Sequence, residues 1–337
     1  MALSIEEWLR DACDARSREP RSYPLTRSDS TPGLDDLLLN LYVTLDDEFP
    51  AQRLGRPQAT NDAEMVCIAV AGALLGRHTE RGWLRLAGRR IGHLFPAIPQ
   101  IAQYNHRVKR LAPMFARAMA ILGSRYPEVA ERLLIVDTTP VPCATSVATV
   151  ERSRLGPGPV SKRRRRAIRR SGNEGRTLAD YGFCAAKKLR YWGYKLASVH
   201  TPSGFPVGYR LLSANIGEQD ALRELLKVTD VEGATMAGDK GFRGAELERE
   251  MEAAGCRLIR PDRIDEKPRH GKGLRVRQSI ESCYDTLKDQ LGLERHNART
   301  LAGLTARVYQ KLCALAAALW FNNLLGKPGR HLTAYDH

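Results

Sequence analysis

At Glu131 the hydrophobic rhythm of the chain switches from a spacing of three and four residues to short β-branched runs, and this break limits the fold more than any other feature. Before it, from about residue 34 to 125, LDDLLLNLYVTLDDEF, NDAEMVCIAVAGALLG, TERGWLRLAGRRIGHLF and the stretch from Ile101 to Gly123 carry apolar residues at helical spacing. Asp62 and Thr79 are the expected N-caps. After it, ERLLIVDTT reads as a buried strand whose carboxyl end presents Asp137. YWGYKLASVH, TPSG and FPVGYRLLSA read as two antiparallel strands and their turn. A helix (GEQDALRELLKVT), a strand ending in Asp239 (VEGATMAGDKGF), a helix closed by Gly255 (GAELEREMEAAG) and a short strand (CRLIRP) follow. VRQSIESCYDTLKDQLG then begins a helix carrying Glu281, and a last helix from about Arg299 to Leu325 is apolar nearly all round and is expected to be buried. The expected organisation is an α-helical domain over 1–128, an α/β domain over 129–328 with a basic loop at 152–176, and a tail at 329–337.

The placement of three carboxylates gives this order chemical meaning. Asp137 and Asp239 end apolar strands and Glu281 lies on the helix after the last strand; open sheets with helical connections bind ligands at strand carboxyl ends, so acids far apart in sequence can converge there. Such acids repel one another unless a cation neutralises them, and hard oxygen donors suit Mg²⁺ or Mn²⁺. A pair of these ions serves phosphodiester cleavage or exchange. Taken singly, each acid has an ordinary alternative: a turn cap at Asp137, a turn former at Asp239, an exposed helix position at Glu281.

Charge points to the same substrate class. A net charge of +15 favours a polyanionic partner, and nucleic acid leads. The run SKRRRRAIRR, with Arg163, Arg164, Arg165 and Arg166 at its centre, suits sequence-independent contact with a phosphate backbone; a solubilising loop is its rival. Arg81, Arg85, Arg89, Arg90, Arg107, Lys109 and Arg110 give the N-terminal helices basic faces, fit for DNA or simply for solvent. Lys195, Lys240 and Arg243 are candidate phosphate contacts near the acids. On a helix Arg277, Glu281, Tyr284 and Lys288 share one face, which sets a metal-binding acid beside two phosphate-gripping cations; a surface stripe with one ion pair is the alternative. Tyr284 is read as packing, with stacking on a flipped base as its alternative, and His200 and His296 as structural.

Four segments carry a resemblance to the DDE transposases of bacterial insertion sequences, which extends from about residue 60 to 326: LLIVDTTPVP, YWGYKLASVHTPSGFPVGYRLLSAN, MAGDKGFRG and RQSIESCYDTLKDQLGLERHNART. In the last, Arg277, Glu281 and Lys288 keep the R-x3-E-x6-K spacing of the family's third motif, although Leu274 stands where the best-known version has Tyr. The resemblance implies an RNase H-like mixed sheet flanked by helices over 130–326. It further implies catalysis and metal binding by Asp137, Asp239 and Glu281, nicking at transposon terminal inverted repeats, attack of the freed 3′-hydroxyl on target DNA, and a homodimer or higher oligomer on DNA.

Other classes fit less well. A non-catalytic, domesticated or decayed transposase derivative leaves the intact Asp–Asp–Glu set without a purpose. An RNase H-like nuclease leaves the N-terminal helical domain and the third-motif spacing without one. No GxxxxGK[ST] phosphate loop is present. The seven cysteines stand singly, without zinc spacing, and read as reduced packing residues. The N-terminus shows no export pattern and the longest apolar run is too short to cross a membrane, so a cytoplasmic, nucleoid-associated location is expected, with no membrane partner.

Overall fold

Side chains that cap free amides begin the first three described helices. The computed structural model describes residues 32–49, 58–144, 146–155, 178–184, 188–261, 277–330 and 332–335. In α1 (Leu34–Asp46) the Asp36 carboxylate accepts from the Gly33 amide at 3.0 Å, and Leu34, Leu37, Leu38, Leu41 and Leu45 are buried at helical spacing. In α2 (Asp62–Leu74) Asn61 and Glu64 cap each other's amides at 2.7 and 2.6 Å. The cap is therefore Asn61 and not Asp62, because Asn61 keeps an extended backbone while Asp62 already lies in the helix. Thr79 caps α3 (Glu80–Arg90) as expected, and α4 (Ile101–Arg110) and α5 (Ala112–Ser124) follow. Arg90 and Arg107 turn to Asp35 and Asp62, whereas Arg81, Arg85, Arg89, Lys109 and Arg110 are exposed.

Close approach of α2 and α3 depends on one glycine. Trp83 donates its indole N–H to the Ile68 carbonyl at 3.0 Å, and a Cβ on Gly72 would stand 2.9 Å from the indole ring. The C-terminal helix (Leu301–Leu324) joins the same unit: Gln310 donates to the Ala69 carbonyl at 2.6 Å and Arg307 pairs with Glu80 at 2.7 Å. By contacts, one unit comprises the described residues up to Pro127, Asp285–Asn297 and those from Ala302 onward; the other comprises Glu128–Tyr284 and Ala298–Leu301. Order along the chain would set the last helix in the α/β domain; being apolar all round, the helix has to be buried, but periodicity does not say against what. No described helix is long and apolar enough to cross a membrane, and the six described cysteines are free.

Lys311 on the C-terminal helix is 6% exposed and donates to the Leu291 carbonyl at 2.7 Å. Burial, with the Arg307 charge second, lowers its pKa from the ordinary 10.5 to about 8. Between those values the folded chain binds fewer protons than the unfolded chain, so this residue makes folding more favourable as pH rises from 8 to 10.5 and opposes folding below 8. Wild type should gain on the order of 3 kcal/mol over that window relative to Lys311→Met, read from urea midpoints; parallel profiles would contradict this.

The second unit is a mixed α/β sheet. After a short turn, α6 (Pro127–Ala130), come β1 (Leu133–Ala144), α7 (Val147–Arg152), β2 (Asp180–Cys184), β3 (Leu189–His200), β4 (Pro206–Ser213), α8 (Glu218–Leu226), β5 (Thr235–Ala237), α9 (Ala245–Ala253), β6 (Arg257–Ile259) and α10 (Arg277–Asp285). The described strands run in the order β2-β3-β1-β5-β6, with β4 on β3; β1–β3 and the β3–β4 hairpin are antiparallel, while β1–β5 and β5–β6 are parallel. Leu134, Val136, Ala197, Val199 and Met236 bury one sheet face against Ala221, Leu222 and Leu225 of α8 and Leu247 and Met251 of α9. This is the helix-flanked mixed sheet expected of an RNase H-like domain.

Two boundaries differ from the sequence reading. β1 does not stop at Asp137 but runs through Pro140 and Pro142 to Ala144, paired to β3. Both prolines lie past Ile135, where the ladder to β5 ends and one edge of β1 is released, the setting in which a strand tolerates a residue without an N–H. The helix carrying Glu281 ends at Asp285, and residues Thr286–Gln290 form a π turn, with the Leu291 amide bonded to the Thr286 carbonyl at 3.1 Å.

Candidate active site

Strand register sets the two aspartates at equal offsets from one ladder end. The parallel ladder of β1 and β5 ends at the pair Ile135↔Ala237, and Asp137 and Asp239 each stand two residues beyond it. Asp137 continues β1 and Asp239 follows the carboxyl end of β5, the place where an open sheet binds its ligand. Each half-buried carboxylate is oriented by a neighbouring amide: Asp137 Oδ1 accepts from Thr138 N at 2.7 Å, and Asp239 Oδ1 from Lys240 N at 2.5 Å. Asp239 is not on the strand itself but caps the single 3-10 turn Lys240–Phe242.

A buried hydrogen-bonded chain ties the third acid's helix to the first. Tyr284, 4% exposed on α10, donates its hydroxyl to the backbone carbonyl of Asp137 at 2.8 Å. The same hydroxyl lies 2.9 Å from Ser198 Oγ, which lies 2.8 Å from His200 Nε2, and His200 Nδ1 donates to the Gly204 carbonyl at 2.9 Å. Burial first, and the Asp137 charge second, push the Tyr284 phenol well above its ordinary range, so it stays protonated as a donor. A buried ring cannot stack on a base, so of the two roles open to Tyr284 only the packed one survives, with a hydrogen bond added. Glu281 lies three residues before Tyr284 on α10 and is exposed.

Glu218 is a fourth acid that sequence reading missed. It opens α8, and its carboxylate lies against Gly241 so closely that a Cβ there would stand 1.3 Å from Glu218 Oε2. Burial and then the Asp239 charge raise the Glu218 pKa, while Lys195 opposes them. Burial lowers that of Lys195, with Glu218 pulling the other way. Lys195 is thus a half-buried counter-charge for an acid on α8. An acid in a first helical turn is also an ordinary partner of the helix dipole, so the sequence held no signal that set Glu218 apart.

The remaining site residues fall as follows. Lys240 and Arg243 are exposed beside Asp239. Lys288 is half-buried in the π turn and groups with the helical unit, so it leaves the regular face that Glu281 and Tyr284 share; the i to i+5 bonding shifts every later side chain around the axis. Arg277 opens α10, but its side chain, Leu274 and Arg163–Arg166 lie outside the described residues. Among the described residues no three His, Cys, Asp or Glu side chains approach closely enough to hold a metal ion. The donor chemistry nevertheless fits a hard divalent cation: two amide-oriented carboxylates follow the last paired residues of β1 and β5 at equal offsets, and the half-buried carboxyl of Glu218 feels the charge of Asp239.

The model of one family, the transposase DDE domain, matches residues 129–317, more than half of the chain. The chain belongs to the DDE transposases. The match takes in β1, β5 and α10 and with them Asp137, Asp239 and Glu281. Family membership makes transposase activity the general function, DNA the partner class and divalent metal the general cofactor class. No curated protein sequence matches this DDE transposase closely enough to count as a relative.

Proposed function

We propose that the chain is the transposase of an insertion sequence, which cleaves phosphodiester bonds at the element's terminal inverted repeats and joins the freed ends to target DNA. The equal two-residue offset of Asp137 and Asp239 past the Ile135↔Ala237 pair carries this reading. Asp137 and Asp239 hold Mg²⁺ or Mn²⁺ from neighbouring strands, and Glu281 completes the set from α10. The bound ions supply charge neutralisation at the scissile phosphate and an activated oxygen nucleophile. The chain's own part is to orient: amides of Thr138 and Lys240 fix the two aspartates, and Tyr284 holds α10 at the Asp137 carbonyl. Lys240 and Arg277 grip phosphates around the cut, Lys288 contacts the DNA from the helical unit, and Lys195 offsets the charge of Glu218. Arg163–Arg166 and the exposed cations of α3 and α4 add sequence-independent contacts, and the active assembly is a dimer or higher oligomer on DNA.

An excision assay tests this reading. A marker bracketed by the DNA that flanks the gene should be excised and reinserted when the chain is expressed, and end-independent nicking without joined products would instead make it an RNase H-like nuclease. Replacing Arg163–Arg166 by Ala should weaken binding to all DNA sequences alike and flatten its salt dependence, since the slope falls by about 0.9 for every phosphate that the chain ceases to neutralise; weaker binding to one sequence alone would contradict that role.

A further inference from the structure

Two aromatic side chains stand exposed at the edge of the sheet. Tyr181 is 47% and Phe183 62% exposed on β2, which pairs only with β3 among the described strands. They point the same way because alternate strand residues share a face. The strand beneath them is firmly seated: on the opposite face a Cβ at Gly182 would stand 2.7 Å from the Ala214 carbonyl. Their exposure is thus a property of a packed strand, not of a frayed one. Register also fixes which face this is. Tyr181 opposes Trp192 and Phe183 opposes Arg190; Ser198, an even number of residues further along β3, opposes Asp137. Directly opposed residues project to the same side, so the two rings and Asp137 share one sheet face, with about 20 Å of β3 between Trp192 and Ser198.

Charge identifies the occupant. Lys188 and Arg190 are exposed at the same edge, while the acid of this strand, Asp180, is buried and accepts from Asn215 at 3.2 Å. Flat π-faces flanked by cations, on a strand whose own carboxylate is buried, match nucleobases on a phosphate backbone, since every base has a face to stack and every phosphate a charge to pair. A second copy of a chain carrying +15 would meet like charge here. We propose that Tyr181 and Phe183 form a stacking platform for unpaired bases of the DNA strand that crosses the Asp137 face. The inference rests on the reading of the chain as a DNA-acting transposase.

Fluorescence anisotropy of the full chain with a blunt duplex and with the same duplex carrying a single-stranded overhang tests it. Wild type should prefer the overhang, and Tyr181→Ala with Phe183→Ala should lose that preference by about 10- to 100-fold while blunt-duplex binding stays unchanged. Tyr181→Phe with Phe183→Tyr, which keeps both rings, should bind as wild type does. Equal affinity of wild type for the two probes, an unchanged alanine pair, or an equal loss on both probes overturns the platform. So does an alanine pair that alters only the mass seen in sedimentation, which would assign the edge to a second copy. Failure of wild type to bind either probe would instead remove the transposase reading itself.

Discussion

Asp137→Asn, Asp239→Asn and Glu281→Gln should each reduce Mg²⁺-dependent strand cleavage by about a thousandfold or more, since loss of one carboxylate ligand removes several kcal/mol of charge stabilisation at the scissile phosphate. Affinity for the same DNA should change little, because binding draws on cations spread over the chain and each substitution deletes a negative charge. Cleavage and gel-shift assays on the same preparations separate the two effects. A variant that cuts at the wild-type rate removes its residue from the site. The aspartates test the strand register, and Glu281 tests the approach of α10.

Tyr284→Phe should lower the cleavage rate by about 10- to 100-fold with little change in DNA affinity. The ring and its packing remain, but the hydroxyl that bonds the Asp137 carbonyl and adjoins Ser198 is gone, so α10 is no longer fixed to the strand of the first acid. A displacement of about 1 Å in a catalytic group is enough for a loss of that size. The stability cost should be about 1 to 3 kcal/mol, the desolvation penalty of a buried acceptor left unpaired, and the fold should persist. A purely structural role would lower the melting temperature and leave the single-turnover rate intact; that outcome would remove Tyr284 from the positioning of the site.

Much of the α/β unit was legible because its signals are local. The hairpin of β3 and β4 follows from two alternating runs and a Gly-containing turn, and α9 ends near Gly255, whose φ of +70 an L-residue rarely adopts. Asp137 and Asp239 stood out because each closes an apolar run. The features that were not legible depend on partners far along the chain. The strand was expected to end at Asp137, since only the early end of the β5 ladder makes Pro140 and Pro142 acceptable further along β1. The π turn at Thr286–Gln290 breaks a helix whose residues would all have continued it. Glu218 gained its meaning from the closeness of Gly241 and Asp239, neither of which any spacing rule links to it. Tyr284 looked like one more apolar helix position until its hydroxyl met the Asp137 carbonyl.

The most direct measurement replaces Mg²⁺ with Fe²⁺ and maps where locally generated hydroxyl radicals cut the protein chain. If the acids share bound metal, cuts should cluster at three segments, around Asp137, Asp239 and Glu281. Excess Mg²⁺ should suppress them together, and Asp137→Asn with Asp239→Asn should abolish them together. Cuts confined to the surroundings of one acid, or a pattern that survives loss of both aspartates, would contradict a shared metal site.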